Sequence, residues 1–190
     1  MKASYLFLAN GFEEIEALGT VDVLRRANME LITVSISDSK EVTGAHGVTV
    51  KADRLISEGI GDAEWLILPG GMPGASNLAA SEPLRKLLLE QNAKEGNIAA
   101  ICASPAIVLA PLGIIDGRDA TCYPGMEQMC PKAVMHDAPV VVSDHIVTGA
   151  GPAATIRFAL AMVAISRNDQ TAKSIGEGML LYDKDIDFYF

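Results

Sequence analysis

Short apolar runs rich in β-formers alternate along this chain with segments of helical period, and that rhythm restricts the fold more than any single motif does. Parallel strands joined by helices are the architecture that satisfies it. Strands are expected near Tyr5–Ala9, Leu31–Ser35, Val48–Ala52, Trp65–Leu68, Ile98–Ile101, Val140–Val142 and Ile146–Thr148. A helix is expected from about Glu13 to Ala27, with Ile15, Leu18, Val21 and Leu24 as its apolar stripe and Arg25 and Arg26 at its C-terminal end. Further helices follow Ser81, span Pro105–Leu112 up to Gly113, and carry the Ile156, Ala159, Leu160 and Val163 stripe, with Asn168 and Asp169 breaking and restarting the last one.

At 190 residues, 49% hydrophobic and 21% charged, with no internal repeat or separating linker, the chain reads as one layered α/β domain over residues 1–190. The formal charge of -9, without lysine or arginine clusters, argues against nucleic acid and anionic membranes as partners. No stretch is long and apolar enough to span a bilayer, and MKASYLFLANGFEE reads as a first strand rather than a signal peptide. Three cysteines in neither zinc-like nor CxxC spacing make no disulfide framework, which suits a reducing, cytoplasmic setting. Cys122 and Cys130 are expected to pack as buried sulfur and remain open as peripheral oxidation sites. Trp65 is expected in the sheet core, and the aromatic end Phe188–Phe190 is either a docking tail or a disordered end.

In open α/β sheets, ligands bind beyond the carboxyl ends of the strands, so the residues after each strand carry the functional information. Those segments are NGFEEIE, LPGGMPGASN, CASPA and TGAGPAAT. Cys102 ends an apolar run just before Pro105 opens a helical stretch, where helix-start amides favour a thiolate; the alternative is a small buried core residue. Gly70, Gly71 and Gly74 permit tight turns that bring main-chain amides to a ligand oxygen, as an oxyanion hole requires. TGAGPAAT is read as scaffold, with Gly149 and Gly151 freeing the backbone and Pro152 at a first helical position. Of Glu13, Glu14 and Glu16, two are expected to be solvated, and Glu16 to point toward Cys102 and share a proton with it. His46 sits at a turn, where it lines an interface or the site or is a plain turn residue; His136 and His145 read as loop residues, and no pair of histidines has metal-ligand spacing.

Taken together, GFEEIE, LPGG, AAICASPA and GPAAT, in that order over nearly the full length, resemble the ThiJ/PfpI superfamily, most closely its parkinsonism-associated deglycase (DJ-one) branch. The resemblance implies a flavodoxin-like, class I glutamine amidotransferase-like three-layer sandwich with a mainly parallel central sheet, and a homodimer. It places the nucleophile on a strained elbow at Cys102, its glutamate at Glu16, and the amides facing the sulfur at Gly71 and Ala103 with Gly70 beside them; Arg26 falls near the dimer contact. No cofactor and no metal are implied. The intracellular peptidase branch has histidine directly after the cysteine, whereas this chain has Ala103, and Tyr123 stands where many deglycase-branch members carry a pocket histidine. The activity implied is cofactor-free conversion of small dicarbonyls such as methylglyoxal or glyoxal, or of their early adducts on glycated protein, to hydroxy acids. An oxidative-stress sensor or chaperone acting through oxidation of Cys102 is the second reading, and a thiamine-pathway or amidotransferase-like enzyme the third.

Overall fold

A computed structural model describes residues 2–181 of the chain, so the aromatic end at Phe188–Phe190 lies outside the described residues. In chain order the elements are β1 (Ala3–Leu8), α1 (Glu14–Arg26), β2 (Leu31–Ser35), β3 (Glu41–Thr43), β4 (Thr49–Lys51), β5 (Arg54–Leu55) and β6 (Ala63–Leu68). There follow α2 (Gly74–Ala80), α3 (Glu82–Ala93), β7 (Asn97–Ile101), β8 (Asp119–Ala120), β9 (Val134–Met135), β10 (Val140–Ser143), β11 (Ile146–Gly149), α4 (Thr155–Ser166) and α5 (Asp169–Gly178). Seven strands form the main sheet in the order β10-β11-β7-β6-β1-β2-β5, and every neighbouring pair except β10 and β11 is parallel. The α/β class expected from the rhythm of the chain, and the flavodoxin-like arrangement with a mainly parallel sheet that the resemblance implies, are therefore the observed ones.

Because the central strands are covered on both faces, they read as continuous apolar runs whose alternate residues feed two separate cores. Leu6, Leu8, Trp65, Ile67, Ala99 and Ile101 pack on the side of α1, α4 and α5, while Tyr5, Phe7, Leu66, Leu68, Ile98 and Ala100 pack on the side of α2 and α3. Trp65 is fully buried, and its indole Nε1 donates to Ser166 Oγ at 2.7 Å, which satisfies its one polar atom.

The stripe expected on α1 is displaced. Ile15 and Leu18 are exposed, whereas Glu16, Ala17, Thr20, Val23 and Leu24 face inward. The cause is the crossing with α4, where a Cβ on Gly19 would stand 2.9 Å from Thr155 Cγ2, so the small residue and not the apolar stripe sets which face meets the neighbour. The strand expected at Val48–Ala52 is the short β4, which pairs with β3 as a hairpin apart from the main sheet. The helix expected from Pro105 begins as a wide π-type turn over Pro105–Leu109 and tightens to a 3-10 turn over Ala110–Leu112, ending at left-handed Gly113. α5 restarts after Asn168, whose side chain accepts the Thr171 amide.

Candidate functional site

The carboxyl ends of β1, β6, β7 and β11 converge, and their following turns interlock through main-chain bonds. Cys102 follows β7 with φ +65°, a left-handed conformation that non-glycine residues hold only where surrounding bonds impose it. Those bonds are present: the Cys102 amide donates to Gly149 O at 2.9 Å, and its carbonyl accepts from the Tyr123 amide at 2.8 Å. Next to it the fully buried Ser104 hydroxyl donates to Pro69 O at 2.5 Å, tying the elbow to the glycine loop after β6.

That loop is pinned from the other side by the segment after β1. Gly71 has φ +86°, and a Cβ there would stand 2.6 Å from Gly11 O, so only glycine fits. The Glu13 amide donates to Gly70 O at 3.0 Å, and the Gly74 amide to Gly11 O at 3.1 Å. The Gly71 and Ala103 amides face the Cys102 sulfur, as donors toward negative charge there. The Gly70 amide has a different task, donating to Glu16 Oε2 at 2.7 Å.

Glu16 is fully buried on the inner face of α1. A Cβ built on Gly70 would stand 2.6 Å from Cys102 Cβ and 2.8 Å from Glu16 Oε2, which puts the thiol and the carboxyl against the same small space. Glu16 Oε1 is buried with no hydrogen-bond partner at ordinary distance, so the carboxyl retains one unused oxygen beside the sulfur. Burial raises the Glu16 carboxyl to about 7, with the nearby Glu13 charge adding to the rise and the Gly70 amide opposing it.

The thiol departs from the expectation of a depressed value. Burial, then the charge of Glu16, push Cys102 up to about 12, and the Gly71 and Ala103 amides offset only part of this. The helix-start field is outweighed by desolvation and by a second anion in the same space. The two groups therefore titrate as a coupled pair that gives up its first proton near 7 and keeps the second, between carboxyl and thiol, up to about 12.

The expectation that two of the three glutamates are solvated is overturned, since Glu13 and Glu14 are 8% and 9% exposed. Glu13 Oε2 caps α1 by accepting the Glu16 amide at 2.7 Å. Glu14 accepts from the His46 and Val48 amides at 2.7 and 3.4 Å and pairs with His46 Nδ1 at 2.8 Å, fastening the β3–β4 hairpin to the start of α1. Burial would raise Glu14, but the His46 ring and these amides hold it below the ordinary carboxylate range; the same bond raises His46. Glu13, Glu14 and His46 bring ligand-type atoms within 4.8 Å of one another, and the Glu14–His46 bond already joins two of them.

Of the remaining sequence candidates, Tyr123 adjoins this centre through its bond to Cys102, whereas Arg26 stands at the far end of α1. Tyr123 is half-exposed and helps line a cleft of about 400 Å³ with Pro124, Pro139, Gly151, Pro152 and Arg157. Arg26 is exposed on α1 and pairs with Asp22 at 2.7 Å. The Thr155 hydroxyl donates to Pro152 O, consistent with a structural role for the turn after β11. No histidine of the described residues bonds Cys102: His46 pairs with Glu14, His136 with Asp119 and His145 with Asn92. The sequence pattern indicated neither the β3–β4 pairing nor the Glu14–His46 clasp; the residues around His46 marked a turn but not the hairpin it closes or where that docks.

Residues 2–165 match the DJ-1/PfpI family. Among curated relatives, DJ-1 homolog B of Arabidopsis thaliana is 36% identical over 157 residues, covering 82% of this chain; the chain spans 36% of that protein's length. The glutathione-independent glyoxalase DJR-1.2 of Caenorhabditis elegans is 32% identical over 165 residues, covering 86% of this chain and 87% of that protein. Among solved structures, oxidized DJ-1 of Toxoplasma gondii superposes with a TM-score of 0.92 at 38% identity, covering 97% of this chain and 100% of that one.

Proposed function

The chain belongs to the DJ-1/PfpI family, and from that premise we propose that it converts small dicarbonyls such as methylglyoxal, or their early adducts on protein, to hydroxy acids, using Cys102 and Glu16 and no cofactor. One observation carries the reading: an elbow cysteine shares a buried space with a carboxyl raised to about 7 that keeps one oxygen unpartnered. The relative named as a glutathione-independent glyoxalase supports the same class of substrate.

In this reaction the Glu16 carboxylate takes the thiol proton as the Cys102 sulfur adds to the aldehyde carbon. The Gly71 and Ala103 amides stabilise the sulfur while it is negative. Glu16 returns the proton to the new oxyanion, giving a thiohemiacetal. Its carboxylate then removes the hydrogen from that same carbon to give an enediol and returns a proton to the neighbouring carbon, while the hydroxyl proton passes from the first oxygen to the second, which turns the thiohemiacetal into a 2-hydroxyacyl thioester. Water hydrolyses the thioester, releasing the hydroxy acid and restoring the thiol, so the net change is addition of one water. A carboxyl poised near neutral pH suits both directions of proton transfer.

The exposed apolar side chains Ile15, Leu18, Val48 and Met72 surround the start of α1 and support a homodimer across that face, with Arg26 further along the same helix. A catalytic thiol of this kind operates in a reducing compartment, and we place the protein in the cytoplasm. Among the described residues, no helix is long and apolar enough to cross a membrane. Cys102→Ser and Glu16→Gln are each expected to reduce lactate formation from methylglyoxal to background. Full activity in either variant removes the mechanism.

A second reading draws on the same amides and the unpartnered Glu16 oxygen, which are able to hold the oxygens of a cysteine sulfinate. Mild peroxide then adds two oxygens at Cys102, measured by intact mass. If Cys102 stays unoxidised while lactate formation persists, turnover alone is the role.

A further inference from the structure

The cleft beside Tyr123, at about 400 Å³, is far larger than a three-carbon aldehyde fills. It abuts both main-chain partners of the nucleophile. Tyr123, on one wall, donates its amide to Cys102 O, and Ala150, on another, follows the Gly149 whose carbonyl accepts the Cys102 amide. β11 runs parallel to β7 with Gly149 opposite Ile101, so the cleft begins next to the elbow. Pro124, Pro139 and Pro152 make its walls apolar and stiff, and the Tyr123 ring lies against Gly151, where a Cβ would stand 3.5 Å from Cδ2. Its one charged lining residue is Arg157, on the first turn of α4. Arg167 and Lys173, at the far end of α4 and on α5, are paired with Glu64 and Glu177 at 3.3 and 3.9 Å; Arg157 has no ion pair or side-chain hydrogen bond among the described residues. Helix formation gives no reason for it either, because a cation on a first turn meets the positive end of the dipole. Toward α5 the same guanidinium borders a second cleft with Asp169 and Lys173, whose charges offset each other. The Tyr123 side of Arg157 is thus a positive spot in a chain of net charge -9.

We propose that this cleft is a carboxylate subsite, in which Arg157 holds the anionic end of a 2-oxoaldehyde while its aldehyde carbon meets Cys102. The subsite rests on the dicarbonyl reading and narrows it to substrates that carry a carboxylate on a short carbon chain. A guanidinium offers a carboxylate two parallel N–H donors, and the Tyr123 hydroxyl, without a partner among the described residues, supplies a further one. The proline walls pack against the carbons between the two ends. Methylglyoxal occupies only the reacting end. Extended at its methyl group by one methylene and a carboxylate, it becomes 4,5-dioxopentanoate, which the same chemistry converts to 2-hydroxyglutarate by the same net addition of one water.

The test compares kcat/KM for 4,5-dioxopentanoate and methylglyoxal in the full chain and in its Arg157→Gln and Arg157→Lys variants. Wild type is expected to favour the carboxylate by about 10-fold or more, the scale of charge-assisted hydrogen bonds. In Arg157→Gln that ratio is expected to fall by about 10-fold, mainly through KM, and in Arg157→Lys to recover in part. Both substrates are measured on one preparation, so a variant that merely folds less well leaves the ratio unchanged. A ratio near one in wild type, or the same ratio in wild type and Arg157→Gln, overturns the subsite and leaves the dicarbonyl reading standing. If neither compound is turned over, the dicarbonyl reading fails, and binding alone decides the subsite: amide shifts at Gly151 and Ala153 of Cys102→Ser protein, titrated with 4-oxopentanoate and with uncharged 2-pentanone. Shifts with the anion that vanish when Arg157→Gln is added uphold the carboxylate site. Equal shifts with both compounds, or none with either, overturn it.

Discussion

Glu14 and Glu16 sit two residues apart on the first turn of one helix, both buried, and their surroundings drive them in opposite directions. Glu14 is met by two amides and an imidazole and stays ionised. Glu16 is met by one amide and a thiol, and burial prevails. The difference teaches that burial alone does not decide protonation; the number of donors arriving with it does. One glutamate is thereby a structural clasp and the other, in the proposed reaction, a proton carrier.

Removing the proton carrier tests this contrast most severely. Glu16→Gln is expected to cut dicarbonyl turnover by at least about 100-fold, the usual scale of a lost general acid/base. Its pH profile of stability separates the two carboxyls. Because the folded-state value of Glu16 is raised, its contribution is fully present below about 4.5 and lost as pH rises through about 7, a change of about 3 kcal/mol. Thermal melts of wild type are thus expected to fall between pH 5 and pH 8, and those of Glu16→Gln to stay flatter. An unchanged slope breaks the assignment.

Gly71→Ala comes next. The left-handed φ and the collision with Gly11 O are expected to cost about 2 kcal/mol in denaturant unfolding and to misplace the amide that faces the sulfur. Glu14→Ala is expected to loosen the hairpin, seen as faster amide exchange at His46 and Val48, while leaving the Glu16 profile in place. His46→Ala is the smallest change, since the ring is exposed. Glu14 is held low, so its stabilising contribution is lost only as pH falls below the ordinary carboxylate range. His46 is raised, so its share is present below 6.5 and lost as pH rises through its folded value. A drop in the activity of His46→Ala comparable to that of Glu16→Gln would erase the distinction between clasp and carrier.

The sheet was legible because Tyr5–Ala9, Trp65–Leu68 and Ile98–Ile101 are apolar on both faces, a pattern that needs no long-range information. Cys102 was legible from its place between a strand and a helix start. The inward face of α1 was not, because Glu16 and Thr20 occupy it and the apolar Ile15 and Leu18 are turned out, so hydrophobic period points the wrong way. The burial of Glu14 depends on a hairpin some thirty residues later, a contact that local composition does not encode. The raised thiol has the same origin: the helix-start field is local, but the burial that chiefly raises it, and then the opposing carboxylate, come from other elements.

The main sheet ends on one side at β5, only two residues long and carrying Arg54, and on the other at the antiparallel β10. A rim that short and charged gives an incoming extended chain almost nothing to zip against. At the β5 rim the fold resists growth into fibrils, a useful property in a protein whose proposed working partners include proteins damaged by carbonyl adducts.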